Sequence, residues 1–227
     1  MTGARRLRAI ARRLGLRRRQ GRLAYPRTNF GSGLGEGAWL LFGLVHAMRP
    51  TVCVEIGSAR GQSACYIGMA LKRMNHGHLY AIDPHETTAW NDVDPGDTYA
   101  ELRRNLRAAG VDGRVTIVRS YSSDAAKDWT LPIDLLFIDG DHSYDGVRRD
   151  WDLFAHHVRE FGLVVFHDTL WERRPDPNWR REDMGVPRFV DDLRRRGFPV
   201  ITFDQHYGIS AVQPVIGGVP LTGPDSK

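Results

Sequence analysis

From residue 51 to residue 212, short apolar runs alternate with stretches in which apolar positions recur every three or four residues. Unbroken runs of Val, Ile, Leu and Phe mark parallel strands buried on both faces, and the three-to-four spacing marks helices that pack by one face. The pattern predicts strands over 51–56, 78–82, 115–119, 133–138 and 163–166. It predicts helices over 36–48, 62–74, 97–109, 144–158 and 186–196, and a short one over 122–128. Gly110 and Gly197 stand where two of these helices should stop. The segments 200–203 and 207–212 read as a closing antiparallel pair, and no internal repeat is visible. Such alternation predicts an α/β fold, a Rossmann-like doubly wound, mostly parallel sheet ended by that antiparallel pair. Right-handed crossovers bring the carboxyl ends of the strands to one edge, where open sheets of this kind bind ligands.

Two stretches, 85–96 and 170–185, follow neither period. Both come after carboxyl ends of strands and are rich in Trp, Pro, Asp and Arg. Long irregular loops at that edge usually shape substrate sites. Trp90, Trp171 and Trp179 could stack on sugar rings or simply anchor their loops. Arg173, Arg174, Arg180 and Arg181 could hold an anionic substrate or form salt bridges.

Charge changes the picture at the N-terminus. The net charge is +5, with 32 basic and 27 acidic side chains. Residues 1–35 hold ten arginines and no acid, which leaves 22 basic against 27 acidic groups, or −5, for the rest. The body is mildly acidic and the basicity belongs to an arm. The chain thus divides into an Arg-rich arm with a Gly-rich join, 1–35, and one folded domain, 36–227. Within 1–22, Leu7, Ile10, Leu14 and Leu16 give a thin apolar stripe. That arm could meet an anionic membrane surface, a nucleic-acid backbone, the body or a second subunit. No apolar run approaches the roughly 20 residues of a membrane span, and no apolar stretch of a secretory signal follows the basic N-terminus. Cys53 and Cys65 lie in apolar stretches and read as buried thiols, so a cytoplasmic location is expected.

The chemistry gathers at the predicted strand ends. Gly57 and Gly61 flank the turn from the first strand into the first crossover helix, where close backbone approach to a ligand would require glycine. Their spacing is not that of a dinucleotide fingerprint. Asp83 ends the second strand, where an acid can accept hydrogen bonds from both ribose hydroxyls. Ser120, Tyr121 and Ser122 follow the third strand and could contact an adenine or begin a helix. Asp139, Asp141 and His142 follow the fourth strand; His167 and Asp168 end the fifth. Neighbouring strand tips let Asp139 and Asp168 share one divalent ion. A glycosyltransferase Asp-x-Asp is only superficially matched. A calcium loop is excluded by Tyr144 in its glycine position. His156 and His157 read as helix-face residues.

Together these motifs resemble class I S-adenosylmethionine-dependent methyltransferases. The match is carried by Glu55-Ile56-Gly57-Ser58, Gly61 and Ser63, by Tyr80-Ala81-Ile82-Asp83-Pro84, by Ile138-Asp139-Gly140-Asp141-His142-Ser143-Tyr144, and by Val164-Val165-Phe166-His167-Asp168-Thr169. The nearest likeness is to metal-dependent O-methyltransferases acting on sugars of macrolides, aminocoumarins and bacterial polysaccharides, with cephalosporin-hydroxylase-like proteins sharing the frame. It covers the body from 36 to 212 and leaves out the arm.

The resemblance implies transfer of a methyl group from S-adenosylmethionine to a hydroxyl of a sugar or a glycosylated or polysaccharide acceptor, with Mg²⁺ as a second cofactor. The donor would be held by Glu55, Gly57, Ser58, Gly61, Ser63, Asp83, Ser122 and Asp139. The metal would be held by Asp139, His167 and Asp168. The family usually has an acid where His167 stands, so Mn²⁺ or another first-row metal is also admitted. The proton would go to His142, where related catechol-type enzymes carry a lysine, or to Asp141. A homodimer is common in such enzymes. Competing readings are a nucleic-acid methyltransferase gripping through the arm, a small-molecule catechol-type O-methyltransferase, a nicotinamide oxidoreductase, and a cofactor-binding module that has lost catalysis. The glycine spacing argues against the oxidoreductase, and the intact acids and His142 argue against the module.

Overall fold

The computed structural model describes residues 33–86, 90, 97–173, 183–216 and 219–220. The N-terminal arm, Trp179, Arg174, Arg180, Arg181 and most of the first irregular loop lie outside the described residues.

Seven strands form one sheet in the order β3-β2-β1-β4-β5-β7-β6. The strands are β1 (Val52–Ile56), β2 (His78–Ile82), β3 (Val115–Val118), β4 (Ile133–Ile138), β5 (Val158–His167), β6 (Val200–Phe203) and β7 (Ile209–Val212). The first five are parallel neighbours, and β7 runs antiparallel between β5 and β6. The helices are α1 (Gly37–Met48), α2 (Gln62–Met74), α3 (Thr98–Ala109), α4 (Ser122–Ala125), α5 (Tyr144–Phe154) and α6 (Val186–Arg195). This is the doubly wound, mostly parallel sheet that the pattern predicts. The order reverses between β1 and β4, which opens a crevice at their carboxyl ends.

The unbroken apolar runs follow from burial on both faces. On β4, Leu135 and Phe137 join the core under α1, α2 and α3, while Leu136 and Ile138 join the core under α5 and α6. Phe137 and Phe166 are wholly buried, each contributing about 2–3 kcal/mol by area alone. Asp97 caps α3 by accepting from the Ala100 N–H at 2.8 Å, and Gly110 ends it in the left-handed region.

Two boundaries differ from the expectation. Helix α5 stops at Phe154, a 3-10 turn covers Ala155–His157, and β5 starts at Val158 rather than near residue 163. Ile133 and Leu135 of β4 face Val158 and Leu163 of β5, so residues are looped out between them. Phe161 takes a φ of 64° there, followed by Gly162. The polar residues Arg159 and Glu160 break the apolar run, so only the second half of the strand reads as one. Arg159 is held by Asp134, with Nε 2.9 Å from Oδ1.

Candidate functional site

One cavity of about 400 Å³ opens at the carboxyl edge of the sheet. Apart from Glu55, every residue expected to serve donor, metal or base lines its wall.

The glycine loop forms one end. Gly57 has a φ of 89°, and a Cβ there would collide with the Asp139 carbonyl. Its N–H donates to Ile82 O at 2.9 Å, and the Asp139 N–H donates to Ile56 O at 2.9 Å. Glycine is therefore required to draw three strand tips together, whatever the cavity holds. Gly61, at φ 84°, leaves room for the Leu102 side chain of α3. Two polar atoms on this side, Ser58 Oγ and Gln62 Oε1, are buried with no hydrogen-bond partner among the described residues. Buried polar atoms of that kind are uncommon and fit a bound polar ligand.

Glu55 stands apart. The alternation of β1 turns it with Cys53 toward α2, where it accepts the Ser63 hydroxyl, and it does not reach the cavity wall. Burial pushes its pKa up to about 8, against the Ser63 hydrogen bond. Any part it plays toward a donor runs through Ser63, which does line the cavity.

Asp83 accepts the Ala59 N–H at 2.8 Å and the His85 N–H at 2.6 Å. It thereby ties the glycine loop to the tip of β2. Ser122, at the start of α4, donates to Asp150 Oδ1 at 2.6 Å. Asp150 is 2% exposed, and burial raises its pKa to about 6. It was not among the candidates, although a signal existed. On α5 the buried positions are Gly146, Val147, Asp150, Trp151 and Phe154, so a carboxylate interrupts an apolar stripe. Arg149, Gln62 and Tyr207 are further wall residues that the motifs did not reveal.

The acid–imidazole cluster forms the other end. Asp139, His142 and Asp168 each offer a ligand atom within 4.8 Å of the others. His142 Nδ1 lies 2.7 Å from Asp168 Oδ2, and its Nε2 3.9 Å from Asp139 Oδ1. His167 Nδ1 lies between the acids, 3.1 Å from Asp139 Oδ1 and 3.3 Å from Asp168 Oδ1. Asp168 Oδ1 and His167 Nε2 are buried without a hydrogen-bond partner among the described residues. Asp168 also takes a left-handed φ of 59°, a conformation that costs a non-glycine residue about 1–3 kcal/mol and often marks a working site. A divalent cation fits this donor set: two carboxylates and the His142 imidazole converge, and Asp168 Oδ1 has no hydrogen-bond partner among the described residues, while His167, the expected third ligand, lies beside the set with its Nδ1 against both acids.

Burial opposes charge on the His167 ring, but Asp168 and Asp139 outweigh it and raise its pKa to about 9. Burial likewise opposes charge on His142, yet the hydrogen bond and charge of Asp168 hold its pKa above the ordinary range. Asp141 is engaged elsewhere. It accepts the Ser143 N–H at 3.0 Å, meets Arg149 at 3.2 Å, and takes the Trp90 indole hydrogen bond. Burial would raise its pKa, but these partners lower it. Trp90 also stacks on His142, with centroids 5.1 Å apart. Trp171 is buried against Tyr207 at 4.6 Å, and both line the cavity.

Known proteins resemble the chain in both sequence and fold. Residues 54–169 match the family described as methyltransferase domain. An uncharacterized protein, R132, of Acanthamoeba polyphaga mimivirus is 33% identical over 159 residues, 66% of this chain and 64% of that protein. This chain therefore spans just under two thirds of that relative's length. Among solved structures, the O-methyltransferase TomG from Streptomyces achromogenes, involved in tomaymycin synthesis and in complex with SAM, superposes with a TM-score of 0.60. It is 18% identical, covering 94% of this chain and 99% of that one. An O-methyltransferase from Bacillus cereus in complex with SAH gives a TM-score of 0.56 at 16% identity, covering 85% and 84%. Strand order, glycine turn, acidic strand tips and a family match over half the length agree: the chain belongs to the methyltransferase domain family.

Proposed function

We propose that this chain is an S-adenosylmethionine- and divalent-metal-dependent O-methyltransferase whose acceptor is a hydroxyl of a sugar or of a glycosylated or polysaccharide molecule. The observation that carries this reading is the acid–imidazole cluster of Asp139, His142, His167 and Asp168 in the same cavity as the glycine loop and Asp83. The unpartnered Ser58 and Gln62 atoms suit the polar end of the donor. Trp90, Trp171 and Tyr207 supply aromatic surface beside the cluster, which suits the apolar faces of a sugar ring.

The reaction is an in-line displacement in which the sulfonium C–S bond breaks as a C–O bond forms. Asp139, Asp168 and His167 would hold the cation, and His167 Nδ1 already lies between the two carboxylates. Bound there, a divalent ion supplies a lowered pKa for the acceptor hydroxyl. His142 takes the hydroxyl proton. Asp141 is the weaker base, because its three local partners stabilise the carboxylate and use its lone pairs. Stacked Trp90 and the bond to Asp168 hold the His142 ring in place.

The test is a methyl-transfer screen with labelled donor on glycosides, polysaccharide fragments, catechols and oligonucleotides, with and without chelator. Transfer to glycosides that stops in chelator and returns with Mg²⁺ or Mn²⁺ is expected. Full activity in excess chelator refutes the metal, and transfer to catechols or oligonucleotides alone refutes the acceptor. His142→Ala should lower turnover by about 10²–10⁴ even at saturating metal, whereas turnover of His167→Ala should recover as the metal concentration is raised.

A further inference from the structure

We infer that the outer face of α1, together with the Arg-rich arm joined to it, docks this chain on an anionic lipid surface. Helix α1 buries Gly37, Ala38, Leu41 and Val45 against the core. Its opposite side carries half-buried Leu40 and Leu44 and exposed Gly43 and Ala47. Between Glu36 and Arg49 the helix holds no Lys, Arg, Asp or Glu. A Cβ added at Gly43 would meet no atom within 4 Å, so this face is open among the described residues. Other helices turn charge to solvent: Arg103 and Arg107 on α3, Asp145 and Arg148 on α5, Arg188 and Arg194 on α6. A helix that is apolar on every side is normally covered on every side. With 12 residues α1 is about 18 Å long, too short to cross a bilayer, and its inner side is held by the core. It can lie on a lipid surface but not span one.

The segment that leads into α1 points to the partner. Residues 1–32 hold ten arginines and no acid, and only residues 33–36 separate them from the helix. That join is fixed at the cavity rim. Gly33 lines the cavity, Gln62 Nε2 donates to Gly35 O at 3.1 Å, and the Glu36 N–H donates to His206 Nε2 at 3.1 Å. The basic segment therefore begins beside the apolar face. A second copy seated on α1 by a two-fold axis would bring ten arginines from each chain together, like charge against like. A nucleic acid would match the arginines and leave the apolar face in water. The arm laid on α1 would find no carboxylate along residues 37–48. An anionic bilayer answers both features: acyl chains take the apolar face, and headgroups take the arginines. Each signal alone gives weak attachment, and the two joined give stable attachment.

The test is co-sedimentation of the full chain with vesicles of phosphatidylcholine alone and of phosphatidylcholine mixed with phosphatidylglycerol. Binding to the mixed vesicles only is expected. Gly43→Glu with Ala47→Glu places charge at two exposed positions without removing core packing, and it should weaken binding by about tenfold or more. Arg17→Gln, Arg18→Gln and Arg19→Gln together should weaken it by a similar factor, about tenfold or more. Gly43→Leu adds apolar surface at the same open point and should tighten binding by about threefold or more, a gain that damage to the fold would not produce. Failure to bind the mixed vesicles overturns the inference, as does equal binding to both kinds. Unchanged binding by the glutamate pair also overturns it, because the arginines would then adsorb alone. A chain that ignores vesicles but forms a dimer dissolved by the glutamate pair overturns it in favour of a second copy. Retention of an oligonucleotide by such a chain overturns it in favour of a nucleic acid. Binding is read without methyl transfer, so its outcome is separate from that of the proposed activity.

Discussion

Glu55 is a carboxyl group wholly removed from water and facing Ser63, with Oε2 buried and without a hydrogen-bond partner among the described residues. Burial raises its pKa from 4.5 to about 8. In the unfolded chain the group ionises freely near its ordinary value. The folded chain therefore binds the extra proton between the two values, and folding becomes less favourable as pH rises through that window. Below it both states are protonated and the cost vanishes. Above it the folded state must carry a buried anion, and the cost is complete. At about 1.4 kcal/mol per pH unit, a gap of about 3.5 gives an upper bound of about 5 kcal/mol.

Replacing Glu55 by Gln keeps the shape and the acceptor for Ser63 but removes the ionisation. Near-equal melting temperatures are expected for the two proteins at about pH 5, where Glu55 is protonated and resembles an amide. At about pH 8.5 the variant should melt higher by about 5–15 °C, from a few kcal/mol at 2–4 °C per kcal/mol for a chain of this size. The assay is scanning calorimetry of both proteins across that range, reading only the difference so that other titrating groups cancel. Parallel curves would refute the reasoning, because they would mean that Glu55 ionises as readily folded as unfolded. A variant that loses ground as pH rises would show that the charge is itself paired in the fold.

Other substitutions test other links. Gly57→Ala must push its Cβ into the Asp139 carbonyl at a positive φ; a loss of more than about 2 kcal/mol in chemical denaturation is expected, with donor binding lost as the strand tips separate. Gly113→Ala, with nothing within 4 Å of the added Cβ, should stay within about 0.5 kcal/mol in the same assay. Trp90→Phe keeps the stack on His142 and loses the bond to Asp141, so turnover should fall only slightly, whereas Trp90→Ala should cost about tenfold. Phe166→Ala opens a cavity between Trp151 and Phe189 and should cost about 3–5 kcal/mol in denaturant titration.

What could be read from sequence, and what could not, follows from where each residue sits on its element. Strands buried on both faces are written as continuous apolar runs, so β1, β2 and β4 stand out, and the polar residue that ends each run lies at the sheet's ligand edge. Gly57, Asp83, Asp139 and Asp168 are legible for that reason alone: a strand tip is a position as well as a composition. Glu55 belongs to the same conspicuous motif but sits one residue inside the strand, and the two-residue alternation sends it to the helix-packing face instead of the cavity. Motif membership and cavity contact are therefore different properties, and only the pleat separates them. Asp150 is the converse case. It belongs to no motif, yet it occupies a buried position of α5 between Val147 and Trp151. A charged residue at such a position must be paired or must face a ligand, because its desolvation cost would otherwise go unanswered. Helical phase exposes that cost, but the identity of the partner, Ser122 on α4, depends on a tertiary contact between residues 28 apart. The start of β5 was hidden for a related reason. Arg159 and Glu160 lie in a looped-out segment whose polarity reads as the end of a helix, and only the pairing of Val158 with Ile133 makes it strand. In each case the local pattern gives the face and the edge, and the missing information is which distant backbone arrives there.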